Sequence, residues 1–183
     1  MREILVAASL AALAVSFPAL AADTKNTMND RFVDKLARDG QSEVEVGQLA
    51  QQKASSPAVK SFAQRLVSDH EKANQQLMSI AGKEGIAVPS TDKPENDPMR
   101  TKLEGLQGAE FDRAFVEAQI ADHKKDIQYL EREEKEVKDP ALASFIRQTL
   151  PVMESHLKMA EELQGQLHGT GSTTPPSPST TKP

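Results

Sequence analysis

The chain has 183 residues, 22 Lys and Arg against 27 Asp and Glu, a net charge of -5, no cysteine, no tryptophan and 4% aromatic residues. Without basic blocks to neutralise phosphates, or rings to stack on bases, the composition argues against nucleic acid, anionic membrane surfaces and carbohydrate-stacking platforms. A chain of this length without disulfides must be held by packing alone, as one regular domain.

Residues 1–21, MREILVAASLAALAVSFPALA, join a short charged start to an apolar run from Ile4 to Phe17 and small residues at Ala19 and Ala21. This is the pattern of a secretory signal peptide cleaved after Ala21, and the run falls short of the roughly 20 residues that span a bilayer. The mature protein is expected to be periplasmic or secreted, with no transmembrane segment after cleavage and with outer-membrane association left open. Residues 22–28 read as a flexible N-terminus.

Between residues 29 and 167 apolar positions recur at helical spacing in four segments, so the predicted fold is an all-α four-helix bundle. The first helix runs from Asn29 to Ala54. The second runs from Pro57 to Lys83, opened by Ser55, Ser56 and a first-turn proline and ended by Gly85. Ile86 to Pro98, with three prolines, is a connector. The third helix starts at Met99 or at Ala109 and ends at Val137. Asp139-Pro140 opens the fourth, which ends near Leu167, and residues 168–183, HGTGSTTPPSPSTTKP, form a disordered tail. The two hairpins match at a shift of 83 positions: Phe32-Val33 with Phe115-Val116, Pro57-Ala58 with Pro140-Ala141, Ser61-Phe62 with Ser144-Phe145. The 13-residue connector can reach roughly 40 Å, which allows either a ferritin-like crossover or an up-and-down bundle.

Each predicted helix places polar groups on its apolar face. His70 falls among Phe62, Leu66 and Leu77, and His156 among Met153, Ala160 and Leu163. On the third helix Gln119, Asp122, His123 and Asp126 share a face with Phe115 and Leu130. On the first, Glu43 faces inward while Glu45 points away as a solvated charge. At about 1.5 Å per residue, Glu43, His70, His123 and His156 fall within roughly 8 Å along the axis. Buried polar groups need partners, and imidazoles with a carboxylate at one level can share a metal. The predicted ligands are therefore Glu43, His70, His123 and His156, with Asp69, Gln119, Asp122 or Asp126 as a further ligand or orienting group. Such a donor set without cysteine suits a divalent transition metal: zinc, iron, manganese or copper.

No catalytic residue is predicted. Val67 and Met153 stand three residues before His70 and His156, so the Glu-x-x-His pairs of ferritin-type di-iron centres are missing. There is also no nucleophile elbow, phosphate loop or zinc-protease motif. Met153 and the other scattered methionines read as core filler.

The runs SEVEVGQLAQQKASSPAVKSFAQRLVSDHEKAN, GAEFDRAF, ADHKKDIQYL and LPVMESHLKMAEEL resemble a family of exported bacterial proteins that carry a domain of unknown function and are grouped with ferritin-like helical bundles. The resemblance covers about Phe32 to Leu163, and the Asp69-His70, Asp122-His123 and His156 positions match its pattern. It implies the fold and an exported or outer-membrane location, and supplies no activity or ligand set. Three readings follow: a periplasmic metal-binding bundle in envelope stress or metal handling, a metal-free structural or interaction bundle, and a ferritin-type redox enzyme. Protein partner and oligomeric state are not specified by the sequence.

Overall fold

The structure, a computed structural model, describes residues 26–88 and 98–169. Its helices are α1 (Asn26–Lys53), α2 (Pro57–Glu84), α3 (Pro98–Glu104), α4 (Gly108–Glu136) and α5 (Pro140–Gly169). The segment read as a signal peptide, residues 22–25 and the tail beyond Gly169 lie outside the described residues. Asn26, Thr27 and Met28, read as flexible, belong to α1 instead.

Local chemistry sets most boundaries. Ser56 accepts the Val59 N–H at 3.4 Å and Pro57 supplies a pre-set φ, which opens α2. Gly85 closes that helix in the left-handed region at φ 68, its N–H bonded to the Ala81 carbonyl. Asp139 accepts the Ala141 and Leu142 amides at 2.9 and 2.8 Å and opens α5. The two starts read for the third helix both occur. A short α3 begins at Pro98, the chain breaks after Glu104, and α4 begins afresh at Gly108, whose φ of 59 suits glycine.

Two apolar clusters fix the helix directions. One end of the bundle gathers Phe32, Leu77, Ala81, Val137 and Leu142. The other gathers Ala54, Val59, Leu103, Phe111 and Leu163. Hence α2 and α4 run the same way, the two tight turns lie at opposite ends, and Ile86 and Leu103, on either side of the link, lie in opposite clusters. The two hairpins are thus joined end to end, the crossover alternative of the two topologies the connector length allowed. The hairpin partners α1 and α2, and α4 and α5, pack closely, α2 meets α5, and α1 barely touches α4. Gly47 permits the close approach of α1 to α2, since a Cβ there would lie 2.7 Å from Val67 Cγ2.

Glu45 corrects one expectation. It is largely buried and pairs with Arg100, while Gln41 donates to it at 3.1 Å, so it ties α3 to α1. Asp112, which sequence reasoning passed over, is 1% exposed and accepts the backbone N–H groups of Ser55 and Ser56, each at 2.9 Å, and the Ser55 hydroxyl. It pins the α1–α2 turn to the start of α4. Asp112→Ala would take the charged acceptor from the Ser55 and Ser56 amides of a partly buried turn, so a loss of about 2 kcal/mol is expected in urea unfolding. Asp112→Asn keeps one oxygen and should lose less; equal losses would contradict the assignment.

Candidate metal centre

Three imidazoles meet at mid-height, one from each of α2, α4 and α5. His70 is 7% exposed, and His123 and His156 are fully buried. Each continues the apolar stripe of its helix, His70 one turn beyond Leu66 and His156 one turn before Ala160, so the packing that buries the stripe carries the ring inward. The ring centroids are 5.3 to 5.8 Å apart, and one ligand nitrogen from each ring lies within 4.8 Å of the others. Phe62 and His156 pack edge to face, with ring centroids 6.4 Å apart.

Hydrogen bonds settle where the ring protons sit. His123 Nδ1 lies 3.0 Å from the Gln119 carbonyl oxygen, which can only accept, so Nδ1 carries the proton and Nε2 is a lone pair. His156 Nε2 lies 2.9 Å from Asp69 Oδ2. Burial raises the Asp69 pKa, but hydrogen bonds and charge from Arg65 and His156 outweigh it and hold the carboxyl below its usual range. An ionised acceptor places the His156 proton on Nε2 and leaves Nδ1 as a lone pair. These two bare nitrogens, His123 Nε2 and His156 Nδ1, face each other at 3.3 Å. His70 Nε2 is buried with no hydrogen-bond partner among the described residues.

Burial disfavours a proton in the gap. Burial, with the charges of His123 and His156, pushes His70 down to about 3; burial and then His156 push His123 down to about 4. Burial also lowers His156, although Asp69 pulls the other way. Two lone pairs in contact repel unless a cation lies between them.

The other predicted residues divide. Asp69 orients His156 and is itself held by Arg65 at 2.8 Å, an i,i+4 pair legible in the sequence. Gln119 supplies its carbonyl to His123, while its fully buried amide has neither Nε2 nor Oε1 partnered among the described residues. Glu43 is buried on α1 and shares a cavity with His70, but stands outside the compact set of three imidazoles. Asp122 pairs with Lys125 at 3.0 Å, and Asp126 lies 3.8 Å from Lys35, both on the α1–α4 side. Met153, read as core filler, lines a cavity of about 150 Å3 between α2 and α5 together with Asp69, His70 and His156. Its place three residues before His156, on the same face, was the available signal.

The family model described as a domain of unknown function, DUF4142, matches residues 15–163, and the chain belongs to that family. No curated protein matches it in sequence. Among solved structures, a DUF305 fragment from Deinococcus radiodurans has 14% identity and a TM-score of 0.67, covering 75% of this chain and 95% of that one. A DUF305 protein from Streptomyces coelicolor, described as secreted, has 14% identity and a TM-score of 0.67, covering 81% and 96%. CopM in its Cu(II)-bound form has 17% identity and a TM-score of 0.65, covering 75% and 96%. At these identities the likeness is one of fold. No helix among the described residues is long and apolar enough to cross a membrane.

Proposed function

We propose that this DUF4142 protein is an exported helical bundle that binds one divalent transition metal, zinc, iron, manganese or copper(II), through His70, His123 and His156, and serves metal handling in the cell envelope. The observation that carries the reading is the 3.3 Å approach of His123 Nε2 to His156 Nδ1 within a buried cluster of three imidazoles. Metal–nitrogen bonds of about 2.0–2.1 Å at a tetrahedral angle put two ligand nitrogens about 3.3 Å apart, so His123 and His156 already have the spacing of two ligands. His70 completes the set after a shift on the order of 1 Å, given the tetrahedral spacing. Asp69 and the Gln119 carbonyl hold the far nitrogens, which fixes ring orientation and raises ligand basicity. CopM, of the same fold, is known with Cu(II) bound, which adds support for a metal in this scaffold.

The rival is a metal-free polar network. Contacts from Asp69 through His156 and His123 to the Gln119 carbonyl are continuous, which favours it. It leaves the His70 Nε2 and the Gln119 amide buried at a cost. A carboxylate-bridged ferritin-type centre has less support, since the compact set contains no carboxylate.

Protein purified without a histidine tag should carry close to one transition-metal ion per chain, and chelation should lower its Tm, because a ligand held only by the folded state stabilises that state. Metal-free protein whose Tm ignores added Zn(II) and Cu(II) would end this reading.

A further inference from the structure

Three cavities adjoin across the middle of the bundle. The widest, about 650 Å3, lies between α1 and α4 and is walled by Asp39, Glu43, Asp122 and Asp126 among others. Next to it a cavity of about 40 Å3 is lined by Asp39, Glu43 and Asp126 from α1 and α4, and by His70 and Met153 from α2 and α5. His70 and Met153 also line the α2–α5 cavity. Their shared walls set the three side by side, with His70 between the α1–α4 groove and the α2–α5 face. Since roughly 10–15 Å3 admits a water molecule, the middle cavity, about 40 Å3, can hold an ion that has shed most of its hydration shell.

The two faces differ in charge. In the α1–α4 groove four carboxylates face Lys35, Arg38 and Lys125. Those cations are engaged: Lys35 with Asp39, Arg38 with Asp34 at 3.0 Å, and Lys125 with Asp122. On the α2–α5 side the one carboxylate, Asp69, is shared by Arg65 and His156, and Lys72 stands at the rim. Counted over their linings, the first face keeps an excess of negative charge and the second does not, so a cation is drawn more to the first. Inside the groove, Glu43 is 5% exposed, and His70, on the wall of the middle cavity, has a buried Nε2 with no partner among the described residues. Carboxylate oxygens suit first-row transition ions less well than imidazoles do, so affinity rises along the path.

We propose that a divalent cation reaches the imidazoles from the α1–α4 groove, handed inward by the carboxylates of Asp39, Asp126 and Glu43 to His70. This rests on the metal-binding reading above. These carboxylates lie on the route and are not part of the final ligand set, so their loss should slow both arrival and departure while leaving equilibrium affinity unchanged.

The test is stopped-flow binding of Cu(II) to untagged, metal-free protein. Asp126→Asn and Glu43→Gln should slow association by about tenfold or more, the scale of electrostatic focusing, at unchanged equilibrium affinity. Asp39→Asn, on a more exposed side chain, gives the same readout should either buried variant misfold. Lys72→Glu, at the opposite face, should leave the rate unchanged. Unchanged rates in the acidic-face variants, with acceleration in Lys72→Glu, would overturn the route while leaving the metal centre intact. A Glu43→Gln protein with weaker equilibrium binding at the normal association rate would make Glu43 a ligand and also overturn it. A wild type that takes up no Cu(II) would overturn both the route and the metal-binding reading.

Discussion

His70→Leu is expected to reverse the sign of its effect on stability according to whether metal is present. Loss of an outer orienting group costs metal affinity about 10–100-fold, so loss of one of three ligands should cost more, on the order of a thousandfold or about 4 kcal/mol. In the metal-free protein the same change replaces an imidazole whose buried Nε2 has no partner among the described residues by an apolar side chain of similar size. That change should be neutral or stabilising by about 1 kcal/mol. His156→Leu should behave differently without metal, because it strands the Asp69 carboxylate now bonded at 2.9 Å, and a cost of about 1–3 kcal/mol is expected. Urea unfolding of both variants, with Cu(II) and with chelator, measures all four values. A His70→Leu protein destabilised equally in both conditions would make His70 a structural group and not a ligand.

Chelator-treated protein is expected to lose stability steeply as pH falls from about 6.5 towards 4. With His70 held down to about 3 and His123 to about 4, and His156 also lowered, the folded state stays unprotonated where the unfolded chain takes up protons near 6.5. The stability of these three groups is therefore full above about 6.5 and is lost as pH falls through that window towards the folded values, each contributing up to about 1.4 kcal/mol per pH unit. Asp126 works the other way. Burial, then the charge of Asp39, raises it to about 6, so the folded carboxyl binds its proton before the unfolded one and offsets roughly one histidine. His70 and His123 less Asp126 leave a difference of about one proton, or about 1.4 kcal/mol per pH unit, to which His156 adds in the same direction, a marked loss for a domain of about 5–15 kcal/mol. Urea midpoints measured in chelator across this range check the slope. A flat profile from pH 7 to 4.5 would mean that the imidazoles are not buried in neutral form.

The helix boundaries and the inward-facing histidines were legible because they depend on local chemistry. Caps at Ser56, Gly85 and Asp139 are written within a few residues of sequence, and a 3.6-residue period gives the rotation of His70, His123 and His156 about their own axes. What the period does not give is how one helix slides or turns relative to another. Glu43 matched the histidines in depth and faced inward, yet stands outside their compact set. Glu45 looked solvated because its partner, Arg100, lies on a helix 55 residues further along. Asp112 was passed over because the α1–α2 turn that docks on it lies 56–57 residues away in sequence. The crossover was one of two topologies because 13 residues can span the bundle or loop back. The bare nitrogens were illegible for a different reason: a tautomer is set by the acceptor on the far side of the ring, and Asp69 reaches His156 from another helix.

The most direct measurement is the electron paramagnetic resonance spectrum of untagged protein loaded with one equivalent of Cu(II), used as a probe because it binds most tightly of the first-row divalent ions. Nitrogen hyperfine structure from three imidazoles is expected in the wild type, reduced to two in His70→Leu. A wild-type spectrum without imidazole nitrogen coupling, or one unchanged by His70→Leu, would contradict a metal centre built from His70, His123 and His156.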